Sequence, residues 1–275
     1  MLWGYFMKLV VADRCALYVG SVFDTPQVEG YSSLLGIFLF PFQIYGDFAG
    51  YTYIAIGAAR IMGFHLNDNF NHPYFAATVS EFWRRWHISL STWFRDYLYF
   101  PLGGSRCSKW RVYFNLMVTF LASGLWHGAG WTFVLWGGLH GFLLCIERAF
   151  HLHNKKLTKF RKVPHVVITF LMVSLCWMIF RVQSLERIAY HLQRACCFDD
   201  ISLGDTQTCY SLAVVFFAIL VIAVKESFEN YAQSAMKRLS SICVWWIDVM
   251  IALFLLLSIS FFASPKGGAF IYFQF

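Results

Sequence analysis

Charge is what this 275-residue chain has least of: Asp, Glu, Lys and Arg together make only 13% of it, against roughly 25% in an ordinary soluble domain. That shortage excludes a water-soluble globule. With 59% hydrophobic residues it excludes intrinsic disorder as well. Only six residues are proline, so neither a collagen-like repeat nor a Pro-rich linker is present. The eight cysteines show no CxxC and no Cys/His zinc spacing, so no metal site is expected. Six of them (Cys15, Cys107, Cys145, Cys176, Cys209 and Cys243) fall singly in or beside apolar stretches, and structural thiols are the expectation. Cys196 and Cys197 are direct neighbours, which geometry rarely lets bridge each other. Gly103-Gly104-Ser105-Arg106 lacks the Walker spacing and lysine, so a turn with a basic flank is expected rather than a phosphate loop. Without repeats or low-complexity linkers, residues 1–275 read as one membrane domain.

What the chain has in quantity is aromatic and apolar side chains. Thirty Phe, fourteen Tyr and eleven Trp make 20% of it aromatic, a composition suited to bilayer interfaces and tight helix bundles. Crossing a hydrocarbon core of roughly 30 Å takes about 20 apolar residues. Runs of that kind occur at Ser32–Ala59, at Val112–Ile146 (long enough for two short passes), at Val166–Phe180, at Tyr210–Val224 and at Cys243–Phe262. The expected fold is all-α: a polytopic transmembrane helix bundle with interfacial or re-entrant helices. Leu2–Val19 carries Lys8, Asp13 and Arg14 in apolar surroundings and reads as an interfacial or partly buried helix. It lacks the order of a signal peptide, and its direct start in hydrophobic helix implies sequence upstream.

The net charge of +7 implies no nucleic acid, because the basic residues sit between apolar blocks, where they set topology and anchor to membrane lipid. Seven Lys and Arg fall in Arg60–Arg111 and six in Arg148–Lys162, so both connections are expected on the cytoplasmic side. Arg181–Cys209, with Asp199, Asp200 and Asp205, is expected outside. Together these read as a multi-pass membrane protein.

Within Ser80–Leu102, charged residues interleave with Phe82, Trp83, Trp86, Trp93, Phe94 and Tyr97, which reads as helices at or dipping into the interface, ended by Pro101 and Gly103-Gly104. Glu81 should pair with Arg84 or Arg85, at i,i+3 or i,i+4. The strongest chemical signal is His127, inside an apolar stretch with Gly124, Gly128 and Gly130 around it. An imidazole at membrane depth costs desolvation and can act as a general base. The competing reading is an interhelical hydrogen bond in a glycine-packed helix pair. His87 reads as an interfacial side chain or a second functional imidazole, and His140 as a packed residue. Asp47 reads as a helix-pairing partner or a cavity residue. His65, His72, His151, His153, His165 and His191 lie in connections, where solvated or interfacial roles dominate.

At these residues a resemblance appears. The run Glu81-Phe82-Trp83-Arg84-Arg85-Trp86-His87, its continuation Tyr99-Phe100-Pro101-Leu102-Gly103-Gly104-Ser105-Arg106, and Gly124-Leu125-Trp126-His127-Gly128 resemble the membrane-bound O-acyltransferase family. Trp3–Arg14 resembles a mid-chain segment of that family and Phe270–Phe275 its C-terminus, so the likeness is to the C-terminal part of a family member. The Tyr99–Arg106 continuation favours the branch that acetylates polysaccharides such as alginate over the related branch that transfers D-alanine to teichoic acid.

The resemblance implies an O-acyltransferase in which His127 and His87 are catalytic, with Arg84, Arg85 and Trp126 as candidate substrate-binding residues. It implies no bound cofactor. The acyl donor would be acetyl-CoA or an acyl-carrier thioester on the cytoplasmic side, the acceptor a polysaccharide hydroxyl, and the partners extracytoplasmic acetyltransferase or esterase-like proteins. Outside that class, a non-catalytic scaffold would tolerate loss of His127, and a transporter would thread more ionisable residues through its spans than Asp47 and His127.

Overall fold

The computed structural model describes residues 1–152, 159–182, 184–197, 206–236, 241–264 and 268, and all its regular elements among them are helical. In chain order the longer helices are α1 (Leu2–Phe6), α2 (Asp13–Phe23), α3 (Gly30–Ile61), α4 (Val79–Trp83), α5 (Ile88–Phe94), α6 (Lys109–His127), α7 (Trp131–Ala149), α8 (Lys159–Arg181), α9 (Leu185–Ala195), α10 (Thr206–Met236) and α11 (Ser241–Phe262). Three segments, Lys162–Arg181, Thr206–Glu229 and Trp245–Phe262, are long and apolar enough to cross a membrane by length and composition. The protein is an all-α membrane helix bundle. Asp199, Asp200, Asp205, Lys155, Lys156, His153 and the closing Phe270–Phe275 lie outside the described residues.

The helices fall into two compact units. The first takes Met1–Glu29, Leu39–Leu66 and the described residues after 205. Here α1 and α2 are joined by a π-helical turn, Met7–Ala12, whose wider winding puts residues five apart on one face. Lys8 and Asp13 have that spacing, and the Lys8 ammonium lies 2.8 Å from Asp13 Oδ1 and 2.6 Å from Asp47 Oδ1. Each is almost fully buried. Asp47 is thus a helix-pairing residue, its charge balanced by a lysine thirty-nine positions away. Gly46 and Gly50 of α3 admit the backbone of the π turn and α1, where a Cβ would press on the carbonyls of Met7 and Gly4. Arg14 donates to the carbonyls of Phe262 and Ala263, both at 2.9 Å, tying the end of α11 to α2.

The second unit takes Gly30–Phe38 and residues 67–198. Its centre is the α6–α7 hairpin, which turns at Gly128–Gly130. Small residues let these two helices meet backbone to backbone: a Cβ on Gly124 would collide with the Phe133 carbonyl, and one on Gly137 with the Phe120 carbonyl. Helix α8 packs on α7. Helix α9 lies within the stretch read from sequence as an outer connection, and there the expectation for His191 fails. Its imidazole is fully buried, with Nδ1 3.1 Å from the Ser33 hydroxyl. Sequence position places His191 between apolar runs; the amphipathic winding of α9 turns it inward beside Ile188.

Candidate active site

The Ser80–Leu102 segment is held in place before any chemistry is considered. Thr78 caps α4 by accepting from the Glu81 N–H at 3.0 Å, and Glu81 in turn accepts from the Ala77 N–H at 2.7 Å, a reciprocal capping arrangement. The first-turn N–H groups of Val79 and Ser80 donate to the buried carboxylate of Glu147 near the end of α7. Of the two candidate partners for Glu81, the structure selects Arg85: Nη2 lies 2.6 Å from Oε1, and Lys162 adds a longer contact at 3.5 Å. Burial alone would raise the Glu81 carboxyl, but the Ala77 N–H, Arg85 and Lys162 together hold it below the ordinary carboxylate range. Arg85 also donates to the His72 carbonyl at 3.3 Å. It is therefore a positioning residue, whereas Arg84 is exposed and lines a cavity.

The aromatic residues of this segment divide: Phe82, Trp86 and Phe94 are buried in the unit, while Trp93, Tyr97 and Phe100 are exposed. Trp86 is buried, stacked on Phe82 and set against Phe70 and Trp177. Trp83 donates its indole N–H to His140 Nδ1 at 3.2 Å. His140 is fully buried among Trp83, Trp136 and Phe120, as a packed residue should be.

His87 follows directly, in the left-handed backbone region at φ 43°. A non-glycine residue there carries strain that surrounding contacts must hold, and Asn69 supplies them: its carbonyl accepts from the Ile88 N–H at 3.0 Å and its side chain from the Ser89 N–H at 3.1 Å. Burial pushes the His87 imidazole down to about 4, so it is neutral at pH 7.

His127 is the last residue of α6. Its ring is framed by three aromatic side chains, Trp126 at 4.9 Å, Trp136 at 5.2 Å and Phe180 at 5.1 Å between centroids, each close to perpendicular. Trp126 is 55% exposed, so the one framing residue named from sequence is also the one facing outward. His127 and His87 lie near enough to interact electrostatically. Forty residues apart in sequence, the two imidazoles thus share one neighbourhood.

A cavity of about 430 Å³ adjoins them, walled by apolar side chains with the cations Arg84 and Arg95. Neither imidazole lines it. Its wall includes Ser123, one turn before His127 on α6, and Ile88, next to His87. The adjacent Pro101–Arg106 turn is confirmed as a turn: Gly103 and Gly104 take φ values of 110° and 56°, and the buried Asn115 amide fixes it by donating to the Gly104 carbonyl at 3.0 Å. Sequence reasoning missed Glu147, Asn115, Trp136 and Phe180. Glu147 did leave a signal, a lone carboxylate closing an apolar run. The other three carry none, since a Trp, a Phe or an Asn in an apolar helix is ordinary.

A family model for the membrane-bound O-acyltransferases matches residues 31–188, more than half of the chain. Over 235 residues the chain is 40% identical to the probable alginate O-acetylase AlgI of Azotobacter vinelandii, covering 84% of this chain and 46% of that protein. It is 35% identical to the peptidoglycan O-acetyltransferase of Helicobacter pylori, covering 99% and 55%, and 31% identical to the teichoic acid D-alanyltransferase of Bacillus subtilis, covering 64% and 48%. The chain spans about half the length of these curated relatives. The matched region holds both imidazoles and the helices that frame them, and the chain belongs to the membrane-bound O-acyltransferase family.

Proposed function

We propose that this chain carries the catalytic part of a multi-pass enzyme of the bacterial inner membrane that moves an acyl group, acetyl in the first instance, from a cytoplasmic thioester to a hydroxyl of an extracytoplasmic polysaccharide. The observation that carries the reading is the pair of imidazoles brought together from the Trp86-His87 and Trp126-His127 segments beside a largely apolar cavity. The relatives named for O-acetylation match 84% and 99% of the chain and the one named for D-alanyl transfer 64%, which favours acetyl.

An alcohol is a weak nucleophile at neutral pH. In this reading His127 accepts the hydroxyl proton as the oxygen attacks the thioester carbonyl, and returns it to the departing thiolate. Such general base catalysis contributes roughly 10² to 10⁴ in rate. His87, neutral and held by the Asn69 contacts, donates a hydrogen bond to the carbonyl oxygen as negative charge develops on it. Arg84, on the cavity wall, attracts the anionic end of an acetyl-CoA or carrier-bound donor, whereas Arg95 beside it is paired with Asp96 through two hydrogen bonds at 2.7 and 3.1 Å. Trp126 faces the acceptor, and extracytoplasmic acetyltransferase or esterase-like proteins act alongside.

The test is replacement of His127 with Ala in the full-length protein. Polymer O-acetylation should fall at least 100-fold with membrane abundance unchanged. Retained acetylation would instead favour a scaffold.

A further inference from the structure

A second cavity, of about 540 Å³, opens where α7 and α9 begin. Its polar groups are unspent. Thr132 is only 5% exposed, lines the cavity, and among the described residues its hydroxyl has no hydrogen-bond partner. Ser184 occupies the cap position of α9 without a side-chain bond to any N–H of that helix. Glu186, in the first turn of α9, faces the same space, and among the described residues no cation is paired with it. In the first turn of α7 the Phe133 N–H donates to the Gly130 carbonyl at 3.1 Å, which leaves the earlier N–H groups of α7 and α9 to outside acceptors. Beside these groups stands the Trp131 indole, 79% exposed and packed on no other ring among the described residues.

The cavity is built against the proposed reaction centre. Its wall includes Phe133, whose ring lies so close to Gly128 that a Cβ there would strike it. That ring also meets Phe180 edge-on at 5.2 Å, and Phe180 in turn faces His127. Two rings in series, Phe133 and Phe180, thus link the cavity wall to the imidazole, on the side of the Gly128–Gly130 turn. Among the described residues no Lys or Arg lines it and Glu186 does, which disfavours a phosphate or a carboxylate-terminated donor. Its hydroxyls and carboxylate disfavour an acyl chain.

We propose that this cavity is the acceptor subsite, and that it takes one pyranose ring of a saccharide. The apolar ring face rests on Trp131, whose π face suits polarised C–H groups. The ring hydroxyls donate to Glu186 and exchange hydrogen bonds with the Thr132 and Ser184 hydroxyls that line the cavity. The inference rests on the acyltransferase reading and adds to it the residues that choose the acceptor.

The experiment uses the full-length protein in nanodiscs and three probes, a mannuronate, a cellulose and an N-acetylglucosamine trisaccharide, with binding read by saturation-transfer NMR. At least one probe should bind the parent, and the mannuronate, whose carboxylates Glu186 repels, should bind least. Trp131→Ala and Glu186→Gln should each weaken binding of the best probe tenfold or more, and Thr132→Val should weaken it less. Because Trp131 and Glu186 are exposed, these variants should elute as the parent does on size exclusion.

The subsite is overturned if the parent binds none of the three, if Trp131→Ala and Glu186→Gln bind as the parent does, or if a serine peptide from a partner protein competes where the saccharides do not. Loss of saccharide binding in these variants, together with retained acetylation in His127→Ala, would keep the subsite and reject the catalytic reading. Parental binding in the variants with lost acetylation in His127→Ala would do the reverse.

Discussion

His87 combines two costs, a left-handed backbone and a half-buried imidazole, and the second makes a pH prediction. Burial holds its pKa near 4 in the folded chain, below the 6.5 of an exposed imidazole. Between those values the unfolded chain binds more protons than the folded one, so stability falls as pH drops from about 6.5 towards 4. His87→Gln should flatten that slope in thermal unfolding of the detergent-solubilised full-length protein between pH 4.5 and 7.5. An unchanged slope would show that His87 stays solvated. Glu147 makes a second prediction. Its carboxylate accepts two backbone N–H groups at the start of α4, and leaving buried donors unpaired costs about 1–3 kcal/mol. Glu147→Ala should therefore lower the unfolding midpoint and, by loosening α4, reduce acetylation as well. A parental midpoint would remove Glu147 from this role. Arg84 and Arg85 show how far sequence goes at this scale. Both are within helical reach of Glu81, and only the folded backbone decides that Arg85 pairs while Arg84 meets the cavity.

At the scale of elements, the α6–α7 hairpin was legible in sequence as two helices with glycines at their meeting point, although among the described residues neither is one of the segments long and apolar enough to cross a membrane. Less legible was which glycines matter. Gly124 and Gly137 each face a backbone carbonyl of the opposite helix, whereas a Cβ on Gly138 would meet only the Leu121 side chain at 3.5 Å. Gly124→Val and Gly137→Val should thus collapse the yield of monodisperse protein on fluorescence-detected size exclusion, and Gly138→Val should not. Equal yields from all three would mean the hairpin is looser than its geometry indicates. The π turn at Met7–Ala12 was not legible at all. Local propensity favours a continuous α-helix there, and the wider winding makes sense only once Asp47, from another helix, is placed beside Lys8 and Asp13.

For the molecule as a whole, orientation in the membrane is the open physical quantity, and the Lys/Arg distribution predicts it. In a cysteine-free background, a single Cys at His151 should react with a membrane-impermeant maleimide only from the cytoplasmic side, and one at Tyr190 only from the outside. Reversed labelling would invert the proposed direction of acyl transfer. In the proposed reading the labelled sides would give the two cavities distinct duties, an anionic thioester donor beside Arg84 and a hydroxylated acceptor beside Trp131 and Glu186.

Composition and charge spacing alone determined that this chain is a helical membrane protein, because apolar length and scarce charge are properties a bilayer reads without regard to tertiary contacts. The Phe82–His87 and Trp126–His127 runs likewise marked the candidate imidazoles, since a titratable ring amid apolar side chains is costly wherever it falls. Only the tertiary structure decided that His191 is buried, that Glu147 holds the start of α4, and that Thr132 and Ser184 come to wall one cavity. Each of these depends on which face of a helix meets which neighbour, and residues far apart in the chain acquire their electrostatic surroundings only when those faces close.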